Sequence, residues 1–387
     1  MVRNASLLAV AALPLALACK PDLAGRPSLV DGNRLLAVQS IPAEAKPSDG
    51  APVEYRALYV SPDGPADASD FEWAFCNAQK PLAVNAPMAP VCLARAGADL
   101  EQFHVRGPDV SAELPPKACD LFGPNPPPAE EGKPPGRPAD PDTTGGYYQP
   151  VRVLLPGDPP DFAVAVTRLN CDLGSATADQ AREYNGLHHP NGNPTLSSVE
   201  LRRQDGKSEP LTENATTTPK VAPGETVTFR VTWPDCPTTP SCGDGICSEG
   251  EHEQARCTAA DPKGCCPADC GGNSCQVDDD CGTGGSCVTS VCVRLAPACG
   301  GSESYTMLDP VQHVLRTRRE SMRVSWYGTN GDFDHERTGT TEAEATTTFT
   351  ENAWTAPGTA GTSFIWVVLR DDRGGVGFAT YEIDVEP

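Results

Sequence analysis

The sequence predicts an all-β protein: two β-sandwiches, the second with a small disulfide-rich module inserted between its strands. Three observations carry this. Apolar residues recur with period two in short runs bounded by Pro, Gly, Asp or Ser, the pattern of short antiparallel strands. The 387 residues include 40 prolines and 36 glycines, a balance that favours strands and turns, and no sustained helical period is present. Twelve of the 17 cysteines lie between Cys236 and Cys299, in a stretch with too few apolar residues to bury a core.

At the N-terminus, Arg3 precedes the apolar run Ala5–Ala18. A basic start, a short apolar stretch and small residues at its end mark residues 1–18 as a signal peptide. The run is shorter than the ~20 apolar residues a membrane span needs. Ala16-Leu17-Ala18 fits ordinary cleavage. The same residues followed by Cys19 resemble a bacterial lipobox, in which Cys19 is lipidated, although Ala16 stands where Leu is more usual. Ordinary cleavage leaves 17 cysteines, an odd number in an oxidising compartment, whereas lipidating Cys19 leaves 16 that can all pair. Lys20 follows in place of an Asp retention signal, which resembles an outer-membrane address. The expectation is therefore a lipid-anchored exported protein with a tether over residues 19–30. A soluble periplasmic or secreted protein is the alternative.

Sandwich one is expected over residues 31–175. Its strands include Arg34–Gln39, Val53–Val60, Phe71–Cys76, Val151–Leu155 and Phe162–Asn170. Tyr55, Leu58 and Val60 are candidate core positions, and Phe71, Trp73 and Phe75 share one face. Residues 115–150 hold 11 prolines and read as a surface loop or stalk, since prolines cannot donate to a ladder. Cys119 would staple one end of it. Cys76 is paired with Cys92, and Cys119 with Cys171.

Sandwich two is expected to be discontinuous, over residues 190–236 and 300–387. Val227, Phe229, Val231 and Trp233 point to one side of the strand Thr226–Trp233. Met322, Val324 and Trp326 alternate in the same way. Thr362–Leu369 is apolar on both faces, as in a central strand. Asp371-Asp372-Arg373-Gly374-Gly375 reads as a hairpin turn with glycine supplying a positive φ. The apolar phase shifts between Phe378 and Tyr381, Ile383 and Val385, which suggests a β-bulge. Asn352-Ala353-Trp354-Thr355-Ala356-Pro357, then Gly361, Phe364–Arg370 and Gly374-Gly375, resembles the end of bacterial immunoglobulin-like and polycystic-kidney-disease-type sandwich domains. The resemblance implies immunoglobulin-like sandwiches. Gly32-Asn33 and Gly192-Asn193 each lead a strand, a Pro/Gly turn and a longer strand, which hints that the two domains are related.

The insert, residues 237–299, contains no Phe, Trp or Tyr, so cross-links must replace burial. Cys236 and Cys299 are expected to close its base. Cys242-Gly243-Asp244-Gly245-Ile246-Cys247-Ser248-Glu249-Gly250-Glu251, Cys257 and Cys265-Cys266-Pro267-Ala268-Asp269-Cys270 together resemble the myxobacterial cysteine-rich repeat. The vicinal Cys265-Cys266 and the spacing after Cys257 depart from its short form. Cys275, Cys281, Cys287 and Cys292 look like a second small disulfide module of such exported proteins. These resemblances imply a surface or secreted protein and no reaction.

Chemistry is sparse. Exported cysteines oxidise, and the spacing lacks paired C-x2-C knuckles, so zinc is not expected. Asp244, Glu249 and Glu251 are weak calcium candidates, as is the acidic run Asp278–Asp280. Neither has the EF-hand order, and a solvated acidic face is the plainer reading. His252–Arg256 lacks the second His of H-E-x-x-H. His188-His189 precede Pro190-Asn191-Gly192, which marks an exposed turn. Asp332, Asp334 and His335 read as a polar loop. The five tryptophans fall in strand phases or turns and read as core more readily than as sugar platforms. No nucleophile elbow, phosphate loop or dinucleotide fingerprint occurs, so neither a catalytic residue nor a cofactor is expected. With 52 Asp+Glu against 30 Lys+Arg, the net charge of −22 disfavours nucleic acid. The function expected is a non-enzymatic cell-surface lipoprotein with a structural, adhesive or recognition role. It would touch the membrane through the lipid alone and meet an unidentified protein or glycan. The alternatives are a secreted hydrolase accessory or carbohydrate-binding protein, or a calcium-dependent or inhibitor-like recognition module.

Overall fold

The structure is a computed structural model that describes residues 26–126, 128, 142–157, 160–174, 176–213, 215–236, 285–288, 291–294, 299–309, 311–344 and 346–387. Sandwich one contains β1 (Arg34–Ile41), β2 (Glu44–Ala45), β3 (Pro52–Ser61), β4 (Gly64–Pro65), β5 (Glu72–Cys76), β6 (Leu100–Arg106) and β7 (Asp109–Glu113). The short helix α1 (Ala118–Phe122), β8 (Tyr147–Leu155) and β9 (Asp161–Leu169) complete it. One sheet runs β1-β3-β4, with β7 also on β3, and the facing sheet runs β2-β9-β8-β5-β6. The β2–β9 pair is parallel, and the ladders of the longer strands are antiparallel.

After the helix α2 (Ala178–Leu187), sandwich two begins with β10 (Ser198–Arg202), β11 (Ser208–Leu211), β12 (Lys220–Val221) and β13 (Thr226–Thr232). The hairpins β14 (Gly285–Val288) with β15 (Val291–Arg294), and β16 (Ser304–Leu308) with β17 (Leu315–Arg319), each stand as two-stranded sheets. The sandwich then resumes with β18 (Met322–Gly328), β19 (Asp332–Phe333), β20 (Arg337–Thr340), β21 (Phe349–Thr355), β22 (Gly361–Asp371) and β23 (Val376–Val385). Its sheets run β11-β10-β13-β21-β19 and β12-β23-β22-β18-β20. The order repeats that of sandwich one. In each domain a short strand pairs in parallel with the last strand, and the last strand continues onto the three strands of the same sheet. Both are immunoglobulin-like sandwiches.

Each core comes from one face of each sheet. In sandwich one Val53, Tyr55 and Tyr59 meet Phe71, Trp73, Phe75, Val151 and Val153. In sandwich two Val227, Phe229 and Val231 meet Val324, Trp326, Trp354, Ile365, Val367, Tyr381 and Ile383. The opposite faces do not all meet water. Leu36, Ala37, Leu58 and Val60 of sandwich one pack on Trp366, Val368 and Val376 of sandwich two, with Phe364 and Phe378 alongside. Gly64, at φ 111°, lies so close to the Phe364 ring that a Cβ there would sit 2.8 Å from it. The contact is sealed by backbone and amide bonds: Gln39 Nε2 donates to Val376 O (2.5 Å), Arg370 Nη2 to Leu36 O (2.9 Å) and Asn193 Nδ2 to Ser40 O (2.7 Å).

This contact corrects several sequence expectations. The phase shift in the last strand is not a bulge, because β23 keeps unbroken register with β22 from Val376 to Val385. Ala379, Tyr381, Ile383 and Val385 face the core of sandwich two, while Val376 and Phe378 face sandwich one. The double-sided apolarity of β22 has the same cause. The tether expected over 19–30 does not extend through its described end. Val30 is buried, Val30 N donates to Gly328 O (2.9 Å) and Gly328 N to Ser28 O (2.9 Å), so residues 26–30 are docked on sandwich two.

The proline-rich loop is also shorter than expected. Tyr147–Pro150 belong to β8, and Pro150 stands opposite Val166. The β5 ladder begins at Val151, so Pro150 lies where β8 is paired on one side alone, as prolines in strands require.

α2 escaped the pattern reading because its polar sequence buries little beyond Tyr184 and Leu187. Its signal was a capping box: Gln180 N donates to Thr177 Oγ1 (3.2 Å), and Thr177 N to Gln180 Oε1 (2.9 Å).

Among the described residues, three disulfides join Cys76 to Cys92, Cys119 to Cys171 and Cys236 to Cys299. The first pins the loop after β5 over the outer face of its sheet, where Met88, Ala89 and Leu93 cover Ala74 and Val164. The buried Arg152 holds the same loop, donating to Ala94 O and to Arg95 O (3.2 Å). Cys119 and Cys171 are 52 positions apart and tie α1 to the end of β9. Replacing both with Ser is expected to lower stability by about 2–4 kcal/mol, read from urea denaturation against the parent, because the unfolded chain regains the freedom that the closed loop had removed.

Candidate functional site at the domain junction

Where the two sandwiches and their connection meet, the contact changes from apolar to ionic. β2 supplies Glu44, β9 supplies Arg168, and the connection after α2 supplies His188, His189 and Asn191. The turn between β22 and β23 supplies Asp371 and Arg373, and the segments flanking the β16–β17 hairpin supply Glu303 and Glu320. Glu44, Arg168, Glu320 and Arg373 are each at most 5% exposed at the side chain.

Glu44 lies at one end. Its Oε2 accepts from Arg168 Nε (3.1 Å) and from the Asn191 amide (3.0 Å), and its Oε1 lies 2.7 Å from His188 Nε2. Arg168 also donates to Thr144 Oγ1 (2.8 Å) and Tyr148 OH (3.1 Å), and Tyr148 donates to Asp142. The His188 ring packs on Tyr184, with centroids 4.9 Å apart. Burial opposes charge on Glu44, but the His188 hydrogen bond, the His188 and Arg168 charges and the Asn191 amide together outweigh it. They hold the carboxyl at about 2, against an ordinary value of 4.5. A depressed carboxyl stabilises the fold above pH 4.5 and loses that contribution as the pH falls toward 2. The difference corresponds to about 3 kcal/mol at neutral pH.

Arg373 lies at the other end. Its Nε donates to Glu320 Oε1 (2.6 Å), its Nη1 to His189 O (2.9 Å) and its Nη2 to Glu303 Oε2 (3.4 Å). The guanidinium also stands 5.0 Å above the Tyr305 ring. The turn carrying it is shaped by Asp371, whose Oδ1 accepts from Arg373 N (2.9 Å) and Gly375 N (2.8 Å), with Gly374 at φ 98°. Asn191 Nδ2 reaches the same carboxylate at 3.3 Å and so joins the two ends. Two carboxylates thus meet one guanidinium, and a third, Asp371, holds the backbone amide of the same residue. Burial pushes both Glu320 and Asp371 above the usual carboxylate range against the pull of Arg373, and the negative neighbours of each add to the rise.

The same cluster reaches the base of the cysteine-rich segment. Glu303 Oε1 accepts from the amides of Cys299 and Gly300, and Arg319 Nη2 donates to Cys236 O (2.8 Å). The sulfurs of Cys236 and Cys299 and a Glu303 oxygen lie within 4.8 Å of one another. The sulfurs are joined as a disulfide, so they offer no thiolate and the group is not a metal centre. Hydrogen bonds therefore run without a break from Cys299 through Glu303, Arg373, Asp371 and Asn191 to Glu44 and Arg168.

Of the residues singled out from sequence, the structure brings Cys236, Cys299, His188-His189, Asn191 and the turn residues Asp371 and Arg373 to this site. His188-His189 and Asn191 do not form an exposed turn. Asn191 is buried, and His188 is held by Glu44, because the connection is sandwiched between domains. All five tryptophans are fully buried. Asp332 pairs at the surface with Arg26 (2.5 Å). Cys287 and Cys292 stand opposite each other in the β14–β15 register. Cys19, Cys242, Cys247, Cys257, Cys265, Cys266, Cys270, Cys275 and Cys281 lie outside the described residues, as do Asp244, Glu249, Glu251 and Asp278–Asp280. Glu44, Arg168, Glu303 and Glu320 escaped sequence reading. In a strand with period two, Arg168 reads as a solvent-facing residue, and Arg373 reads as an ordinary turn residue.

No protein-family model and no curated protein matches the chain. Among solved structures it is similar to the D0-D1 domain of intimin, at 9% identity over 91% of this chain and 99% of that one, with a TM-score of 0.18. The C-terminal domain of the Streptococcus agalactiae AgI/II polypeptide BspA gives 9% identity over 92% and 99%, with a TM-score of 0.18. Dimeric latent PorU from Porphyromonas gingivalis gives 12% over 92% and 34%, with a TM-score of 0.17. At such TM-scores these likenesses carry no argument. The assignment to immunoglobulin-like sandwiches rests on the strand order.

Proposed function

We propose that this protein is a non-enzymatic surface lipoprotein that holds its cysteine-rich segment out from the membrane as a recognition or adhesive element. Two sandwiches locked together serve as the support, and Cys19 carries the lipid. The observation that carries this reading is the continuous buried network, which ties the base of the segment, at Cys299, to both sandwiches at once. A support of that kind sets the direction of whatever projects from Cys236 and Cys299. Disulfides belong to oxidising compartments, which accords with export. Burial of every tryptophan in a core or domain contact removes the usual aromatic platform for a sugar and weighs against the carbohydrate-binding alternative.

Two experiments test the reading. In cell fractionation the parent is expected in the membrane fraction and Cys19→Ala in the soluble fraction. Retention of Cys19→Ala on membranes would remove the anchor. In the second, residues 237–298 are replaced by a short Gly/Ser linker with Cys236 and Cys299 kept. Their Cα atoms are 5.9 Å apart, so the closed base needs no rearrangement. This variant is expected to melt like the parent and to lose attachment of whole cells to neighbouring cells or matrix. Undiminished attachment would overturn the role given to the segment.

A further inference from the structure

β8 and β9 hold in sandwich one the places that β22 and β23 hold in sandwich two. The outer face of β22 and β23 is apolar because sandwich one lies over it. β9 is apolar on both faces as well. Ala163, Ala165 and Leu169 face the core, and Phe162, Val164 and Val166 alternate with them onto the outer face. On β8, Leu154 stands opposite Phe162 and Pro150 opposite Val166. Here the cover is the loop after β5, and it is partial. Met88, Ala89 and Leu93 lie over Val164, but Val166 stays 44% exposed, and Leu82 and Val91 of the loop itself are 54% and 56% exposed. These are three of the six exposed large apolar side chains among the described residues, gathered on one flank. The loop is held in shape by the Cys76–Cys92 disulfide and by Arg152. Lys80 Nζ also donates to Ala86 O (2.7 Å) and Gln79 Nε2 to Leu121 O (2.8 Å). Residues 81–94 carry no charged side chain, in a chain of net charge −22.

We propose that this flank of sandwich one is a two-fold interface between two copies of the chain. Charge selects the surface. Two bodies that each carry −22 repel, and they approach most easily where acids are absent. An uncharged apolar patch is also complementary to itself, which a patch of one charge sign is not. The arrangement of faces selects the symmetry. Within the chain, the outer face of β1 and β3 lies on β22 and β23. A head-to-tail contact of the same kind would lay the outer face of β10 and β13 of a second copy on this patch. That face carries Glu200, Arg202, Thr228 and Arg230, and covering valines with it would take charges out of water without partners. Patch on patch instead buries Leu82, Val91, Phe162 and Val166 of both copies. It closes as a dimer and does not propagate into a filament. This inference goes beyond the surface role and does not depend on it.

Sedimentation equilibrium on the exported chain bearing Cys19→Ala tests the interface. A monomer–dimer equilibrium with a Kd of about 100 µM or tighter is expected. Since screening relieves the repulsion between the two bodies, the dimer should tighten as salt rises from about 20 to about 200 mM. The double variant Leu82→Asp, Val166→Asp should weaken it at least ~10-fold, the scale of losing apolar anchors from an interface centre. Its melting temperature, measured dilute enough for both proteins to be monomeric, should match the parent, because both side chains are half-exposed in the monomer. Should that variant not fold, Leu82→Ser with Val166→Thr, which keeps the strand shape, should still weaken the dimer. Thr228→Arg, on the outer face of β13, should leave it unchanged. A chain that stays monomeric at about 100 µM would overturn the proposal. So would a dimer that salt loosens, or one that Thr228→Arg breaks and the patch variants do not.

Discussion

Arg373→Ala is expected to lower the stability of the protein by about 3–5 kcal/mol, because it leaves buried carboxylates without a counter-charge. Arg373 is 1% exposed and touches Glu320, Glu303 and the carbonyl of His189. Removing it strips the guanidinium that donates to Glu320 at 2.6 Å. It also leaves His189 O without that donor. The measurement is urea denaturation at pH 7, followed by a double-mutant cycle with Glu320→Gln. Coupling is expected to be large, since neutralising Glu320 removes much of the reason for the loss, and the double variant should be more stable than Arg373→Ala. Additive effects would show that Arg373 acts through packing on Tyr305 and not through charge. Arg373→Lys should recover only part of the loss, because an ammonium cannot present a fork to Glu320, Glu303 and His189 together.

Trp326→Ala is expected to cost about 3–5 kcal/mol, the range for deleting a large ring from a packed core. Trp326 is fully buried on β18 against Phe229 (6.3 Å between ring centroids) and Phe333 (5.8 Å), and its Nε1 donates to Thr338 Oγ1 (2.9 Å). Sandwich two cannot close that space without moving β18 against β22, and seven residue pairs fix the register of those strands. Calorimetry should show the loss in the transition of sandwich two. Trp366→Ala is the informative comparison. It removes an equal ring from the opposite face of the same sheet, where the ring packs on Leu36, Leu58 and Val60. Its loss should loosen the contact between sandwiches and separate their melting transitions, while Trp326→Ala lowers sandwich two itself.

Much of the architecture was legible because β-structure writes itself into local sequence. Val227, Phe229, Val231 and Trp233 alternate in the chain and share one buried face in the fold. The turn Asp371–Gly375 was readable from its glycines and acids, and Gly374 does adopt a positive φ. The errors have one origin. Alternation says which residues are apolar on each face and not what covers that face. Phe378 looked out of phase, and β22 looked apolar on both sides, because sandwich one lies over the outer face of their sheet. Pro150 reads as loop because local sequence does not disclose that β8 has only one partner at that position.

The ionic junction was not legible at all. Glu44 and His188 are 144 positions apart, and Asn191 and Asp371 are 180 apart. A carboxylate or guanidinium in a chain of 52 acids and 30 bases looks the same whether it meets water or a buried partner. By itself the sequence determined the all-β class, the strands and the turns, because these depend on neighbours a few residues away. Which outer faces are covered, which charges leave water and how they meet the base of the cysteine-rich segment were decided only by the tertiary structure. Burial and ion pairing depend on what the rest of the chain brings to a surface, and no local pattern encodes that.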